Sequence, residues 1–233
     1  MKYISGGYYI VSPLERADCM DKTLLPETIL SASACLCEFH PDTKILWEGS
    51  QKKKQTYSKK LNLSNNAFEE LEGWVQKKYE DKTFNFPQLF TTVELAREFK
   101  KTFLNHLNDI RIIGIGLQEN FVEEFLDEEE TLSKPAKERY GIETLIMNKT
   151  TIDMEASKKN GYEVLGFESG QFHSYICNGL EEDYNNNLKF SLNENGFISN
   201  LEMAIGCCEY SNDEEVGTEP VLWLPWAIFE YEL

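Results

Sequence analysis

His173 and Cys177 lie four residues apart in residues 166–184, GFESGQFHSYICNGLEEDY. On a helix opening near Ser169 or Gly170 they would be neighbours, on a face shared with Phe172, Ile176 and Leu180. An imidazole beside a thiol can draw off its proton and leave a nucleophile or a metal ligand, with Glu168 within reach to orient the imidazole. The same spacing also describes a buried helix face, on which a cysteine behaves as a small hydrophobe. Residues 178–179, Asn-Gly, would end that helix, because glycine takes the left-handed conformation of a C-terminus.

A second group with metal-ligand chemistry is Cys35, Cys37 and His40. Two thiolates and an imidazole begin a tetrahedral zinc site, whose fourth ligand would have to come from Cys177, Cys207 or Cys208. The Cys-x-x-Cys knuckle of common zinc sites is absent, and we expect neither metal nor cofactor. Gly114 and Gly116 match the first two glycines of a dinucleotide fingerprint, but Glu119 stands where the third belongs and would face a pyrophosphate.

The elements that position these residues follow from periodicity. Residues 3–11 (YISGGYYIV) predict a strand with a bulge at Gly6-Gly7. Residues 28–39 alternate as a strand and, with the turn residues at 40–43, predict a hairpin into residues 44–47. The basic run QKKKQTYSKK at 51–60 is expected as a solvated loop or hairpin tip. Two helices follow, one opening near Asn66 and one capped by Thr91 with Glu94. Residues 111–117 (RIIGIGL) read as a buried strand, 119–130 as a helix or loop edge, 140–147 and 162–167 as strands. Asn185 to Asn187 are expected to form a polar loop. Ser199 and Glu202 cap a later helix that buries Cys208 and turns Cys207 elsewhere. Residues 221–231 (VLWLPWAIFEY) predict a strand in which Pro225, lacking an N–H, requires an edge or a bulge.

Strands before, between and after helices, without a regular alternation, predict an α+β fold: a mixed or antiparallel sheet with helices packed mainly on one face. At 233 residues and 41% hydrophobic composition the chain supports one substantial core, and we expect a single domain over 1–233, with a weak boundary near 131–136. No apolar run approaches the length of a membrane span, and the first residues lack a secretory signal, so the expected location is cytoplasmic. Six cysteines without a framework spacing are expected as reduced thiols.

Charge is the strongest bias. The formal net charge is −17, and residues 119–233 hold 7 Lys/Arg against 25 Asp/Glu. Such a field repels nucleic acid and anionic membranes and favours a basic protein partner. The exposed candidates are Glu181, Glu182, Asp183, Asp213, Glu214 and Glu215, with Trp223 and Trp226 as aromatic anchors if a kinked strand turns both outward. Two readings result: a non-enzymatic acidic protein that captures a basic partner, an immunity protein against a cationic toxin being the concrete case, or a hydrolase or transferase built on Cys177, His173 and Glu168.

Overall fold

The computed structural model describes residues 2–18, 20–33, 35–36, 43–83, 90–129, 135, 141–168, 170–188 and 191–232. Five strands form one antiparallel sheet: β1 (Tyr3–Val11), β4 (Arg111–Gln118), β5 (Ser157–Glu168), β6 (Gln171–Ser174) and β7 (Trp223–Tyr231), in the order β1-β4-β7-β5-β6. Two short strands, β2 (Leu14–Glu15) and β3 (Thr28–Ile29), pair separately. The final strand therefore lies at the centre of the sheet, between β4 and β5.

Both faces of the sheet are covered, which explains why its strands read as nearly continuous apolar runs. One face carries Tyr3, Tyr8, Ile112, Val164, Trp223 and Phe229. It packs against α1 (Thr43–Glu48), α2 (Gln51–Lys60), α3 (Asn65–Glu80), α4 (Val93–Phe103), α7 (Glu181–Leu188) and α8 (Leu201–Ser211). The other carries Ile4, Tyr9, Ile115, Leu165, Phe167 and Trp226 beneath α5 (Val122–Glu128), α6 (Ile142–Met147) and an extended strap through Leu30 and Ala32. The architecture is an α+β fold with most of its helices on one face.

The predicted bulge falls between Ser5 and Tyr8, with Gly7 at φ 100°. Gly114 and Gly116 make room for rings, since a Cβ at Gly114 would lie 2.9 Å from the Tyr231 ring and one at Gly116 would lie 3.0 Å from Phe229. Pro225 is tolerated in an interior strand because the pairing of β4 with β7 stops at Leu117 and Trp226. Beyond that point β7 faces only β5, with Val164 opposite Pro225, so the missing N–H falls at a local edge.

Several elements differ from the sequence reading. Among the described residues of 28–39 only Thr28–Ile29 lie in a strand, and residues 44–47 belong to α1 rather than to a second strand of a hairpin. The basic run is a helix, α2, because its Lys and Gln residues are good helix formers and Ser50 accepts a cap bond from the Lys53 N–H. Residues 142–147 are helical, and Asn185 to Asn187 belong to α7. Thr92 rather than Thr91 caps α4, and Asn200 rather than Ser199 caps α8. Cys207 and Cys208 are both buried. The proposed boundary at 131–136 lies outside the described residues except for Pro135.

Candidate functional site

The polar centre of the molecule is a carboxyl inside the sheet. Tyr162 and Val164 of β5 point to the helix-rich face, so Glu163 between them points to the opposite one, where it is 1% exposed. Its Oε1 accepts the Ser31 hydroxyl at 2.5 Å and its Oε2 accepts the Ala32 N–H at 2.9 Å. Ser31 Oγ accepts the Ser33 N–H, and Ser33 Oγ lies 3.4 Å from Cys177 Sγ. Burial raises the Glu163 pKa to about 7, although Ser31, Ala32 and Ser174 all pull it down by hydrogen bonding. That value suits a general acid or base, but the group is sealed beneath the strap. Its role in this geometry is to clasp residues 31–33 to β5.

The imidazole and thiol are not brought together. Gly170, at φ 81°, turns the chain between the paired residues Glu168 and Gln171, so His173 sits in a strand opposite Gly166. The expected helix is reduced to a short 3-10 turn, Tyr175–Asn178, which ends as expected at Gly179 with φ 69°. His173 Nδ1 lies 2.8 Å from Glu219 Oε2, close enough for an ion pair though not aligned as a hydrogen bond. Cys177 instead meets Ser33, and burial pushes its thiol up to about 11, away from the nucleophilic form. Glu168 is exposed at the end of β5, and the carboxylate found beside His173 is Glu219. The catalytic grouping of Cys177, His173 and Glu168 is therefore not assembled.

The tryptophans do not face outward either. Residues three apart on a strand project to opposite faces, and Trp223 and Trp226, each 0% exposed, enter the two separate cores. Trp223 donates its indole N–H to the Glu219 carbonyl at 3.2 Å. Trp226 packs edge-on against Phe125 and Phe172 and fills the space left by Gly6. Glu181, expected on the surface, is 7% exposed.

The other acidic candidates, Glu182, Asp183, Asp213, Glu214 and Glu215, remain in solvent. Tyr184 of α7 hydrogen-bonds Ser211 at the end of α8, Asn187 donates to Tyr210, and Asn178 accepts the Glu219 N–H. These bonds lay the loop after α8 against the start of α7. Exposed Glu182 and Asp183 lie on α7, and exposed Glu209, Asp213, Glu214, Glu215 and Glu219 lie on α8 and the loop that follows, so the seven belong to adjoining elements. Among the described residues no Lys or Arg pairs with any of these seven. Lysines and arginines do form ion pairs with Asp18, Glu72, Glu98, Glu119 and Glu230.

A separate cluster joins Lys159 to two phenols, with Nζ 2.5 Å from Tyr162 Oη, 3.0 Å from Tyr3 Oη and 4.0 Å from the Tyr162 ring centroid. Its hydrogen bonds to the phenols raise the Lys159 pKa despite the opposing effect of burial, so the ammonium caps them as a fixed cation.

Among the described residues no three His, Cys, Asp or Glu converge as a metal ion would require. Cys35 is exposed, and Cys37 and His40 lie outside the described residues. No helix among them is long and apolar enough to cross a membrane. Glu163 and Glu219 escaped the sequence reading. Glu163 carried a signal, as a lone acid inside the apolar run YEVLGF, whereas nothing in the spacing of Glu219 ties it to His173. No family model, no curated protein and no solved structure matches the chain.

Proposed function

We propose that the chain is a binding protein that captures a cationic protein on the face formed by α7, the end of α8 and the loop that follows. What supports this reading is that Glu182, Asp183, Glu209, Asp213, Glu214, Glu215 and Glu219 are all exposed, lie on adjoining elements and, among the described residues, have no Lys or Arg partner. Like charges held together cost self-repulsion, which a cationic partner relieves, and the resulting field steers such a partner inward. The anchoring role once expected of the tryptophans passes to polar groups, since both rings are structural. A toxin-neutralising immunity protein acting in the cytoplasm is the concrete form. A nuclease toxin must be cationic to hold a phosphate backbone, and an acidic face competes for that same surface. The same field disfavours nucleic acid as a partner.

The test is affinity for a cationic probe protein such as cytochrome c at low and moderate salt. The triple variant Asp213→Asn, Glu214→Gln, Glu215→Gln is compared with Glu69→Gln, Glu70→Gln, Glu123→Gln, which removes the same charge from exposed positions on α3 and α5. The first triple should weaken binding by about tenfold and flatten its salt dependence, at roughly 0.5 kcal/mol per rim charge. Equal losses in the two triples would mean that overall charge, not this face, does the binding.

A further inference from the structure

The acidic face contains one carboxylate unlike the rest. Glu181 opens α7 and is only 7% exposed, yet no Lys, Arg or hydrogen-bond donor among the described residues meets its carboxylate. Its oxygens are not among the sealed, unpartnered polar atoms of the fold, so they open on solvent while the rest of the side chain is covered. The positive end of the α7 dipole is the one built-in complement to its charge, and it falls off within a turn and contributes only a fraction of a unit charge. Glu181 lines a recess of about 410 Å³ together with Asp21, Thr23, Gly179, Glu182, Asn185 and Asn186. No cationic side chain is among them.

One wall of this recess is ordered before any ligand arrives. Asp21 Oδ1 accepts both the backbone N–H and the hydroxyl of Thr23 at 2.7 Å, and Thr23 Oγ1 accepts the Asn185 amide at 3.1 Å. The Thr23 bonds hold the Asp21 carboxyl below its usual range, so it stays ionised. Three carboxylates and the side-chain amides of two asparagines therefore line the recess, with no Lys or Arg in its wall. A bare metal ion fits poorly, since no three acids converge on one point here. A planar guanidinium fits better: it carries five N–H donors and spreads its charge over a plane wide enough to reach separate acids.

We propose that this recess receives an arginine side chain of the cationic partner, with the recessed Glu181 as the central counter-charge and Asp21 and Glu182 beside it. The assignment rests on the reading of the acidic face as a protein-binding surface and names the anchor within it. Partner binding would then combine diffuse attraction over the exposed acids with one desolvated, directional contact, the kind that dominates interface energetics.

The experiment uses the full chain and N-acetyl-arginine amide as the probe, followed by backbone amide NMR. Saturable shifts are expected at Gly179, Asn185 and Asn186. N-acetyl-citrulline amide, which has the same shape without the charge, should give none, and N-acetyl-lysine amide should bind more weakly. Glu181→Gln should weaken arginine binding by at least about tenfold, the worth of one charge-assisted hydrogen bond. Glu214→Gln, on the same face but outside the recess, should change it less than about twofold. Asp21→Asn serves as a second variant should the spectrum of Glu181→Gln show a disturbed α7. Citrulline binding as well as arginine, lysine binding equally, an unchanged affinity in both variants, or calcium alone saturating these amides while arginine does not, would each overturn the assignment. Failure here alongside retained, face-dependent capture of cytochrome c would remove the anchor and leave the surface reading standing.

Discussion

Replacing Glu163 by Gln should flatten the dependence of stability on pH between about 4.5 and 7. In the folded chain burial raises this carboxyl from 4.5 to about 7. Below 4.5 the group is protonated in both the folded and the unfolded chain, so it contributes no pH dependence. Between 4.5 and 7 the unfolded chain has released the proton and the native state still holds it, so stability falls by about 1.4 kcal/mol per pH unit. Above about 7 both states are ionised and the loss levels off. Over the whole window the group costs on the order of 3 kcal/mol at pH 8 relative to pH 4. No discount for solvent screening applies, because the side chain is 1% exposed. Gln preserves the shape: its amide oxygen accepts the Ala32 N–H, and its amide N–H donates to Ser31 Oγ. Urea unfolding at half-unit intervals from pH 4 to 8 for both proteins measures the effect. Subtracting one curve from the other removes the titration of the remaining carboxylates, which the two chains share. A difference that stays constant across the range would refute the reasoning, since it would mean that the folded carboxyl releases its proton no later than the unfolded one.

Three further outcomes follow from the same structure. The Cys177 thiol, held up at about 11, should react with iodoacetamide at pH 8 about a hundredfold more slowly than a small free thiol. Its rate, read by peptide mapping, should keep rising through pH 10, whereas a plateau below pH 9 would mean an activated thiolate. A Cβ at Gly6 would lie 2.6 Å from the indole of Trp226, so Gly6→Ala should destabilise by roughly 1–3 kcal/mol, in part restored by Trp226→Phe in a double-mutant cycle. Asn200→Ala should cost about 1 kcal/mol in thermal or urea unfolding and Ser199→Ala about half that or less, because Asn200 accepts the Met203 N–H at the start of α8.

The sheet was legible because its strands are buried on both faces and their sequences show it. RIIGIGL and VLWLPWAIFEY have few polar residues, and the glycine pair in YISGGYYIV marks the bulge that forms. The centrality of β7 was hidden, since Pro225 argues for an edge and only the early end of β4 supplies one locally. The stretch around His173 misled for a different reason. Phe172, Ile176 and Leu180 suit a helix, but Gly170 between paired Glu168 and Gln171 closes a hairpin first, and strand pairing overrides the local period. Residues 28–39 alternate because Leu30 and Ala32 face the core while Ser31 serves Glu163, a pattern that a strap and a strand share. The acidic face was visible in sequence as a charge imbalance. That its two stretches lie on adjoining elements depends on the packing of α7 against α8 through Tyr184, Asn187 and Tyr210, which no spacing encodes.

The most direct measurement of the central claim is the footprint that a bound cationic protein leaves on the chain, by amide NMR or hydrogen exchange with cytochrome c at low salt. The perturbed amides should cluster within residues 179–187 and 209–219, and the shifts should fade together as salt rises. Shifts scattered over α3, α5 and the acidic face alike, or centred elsewhere, would contradict it.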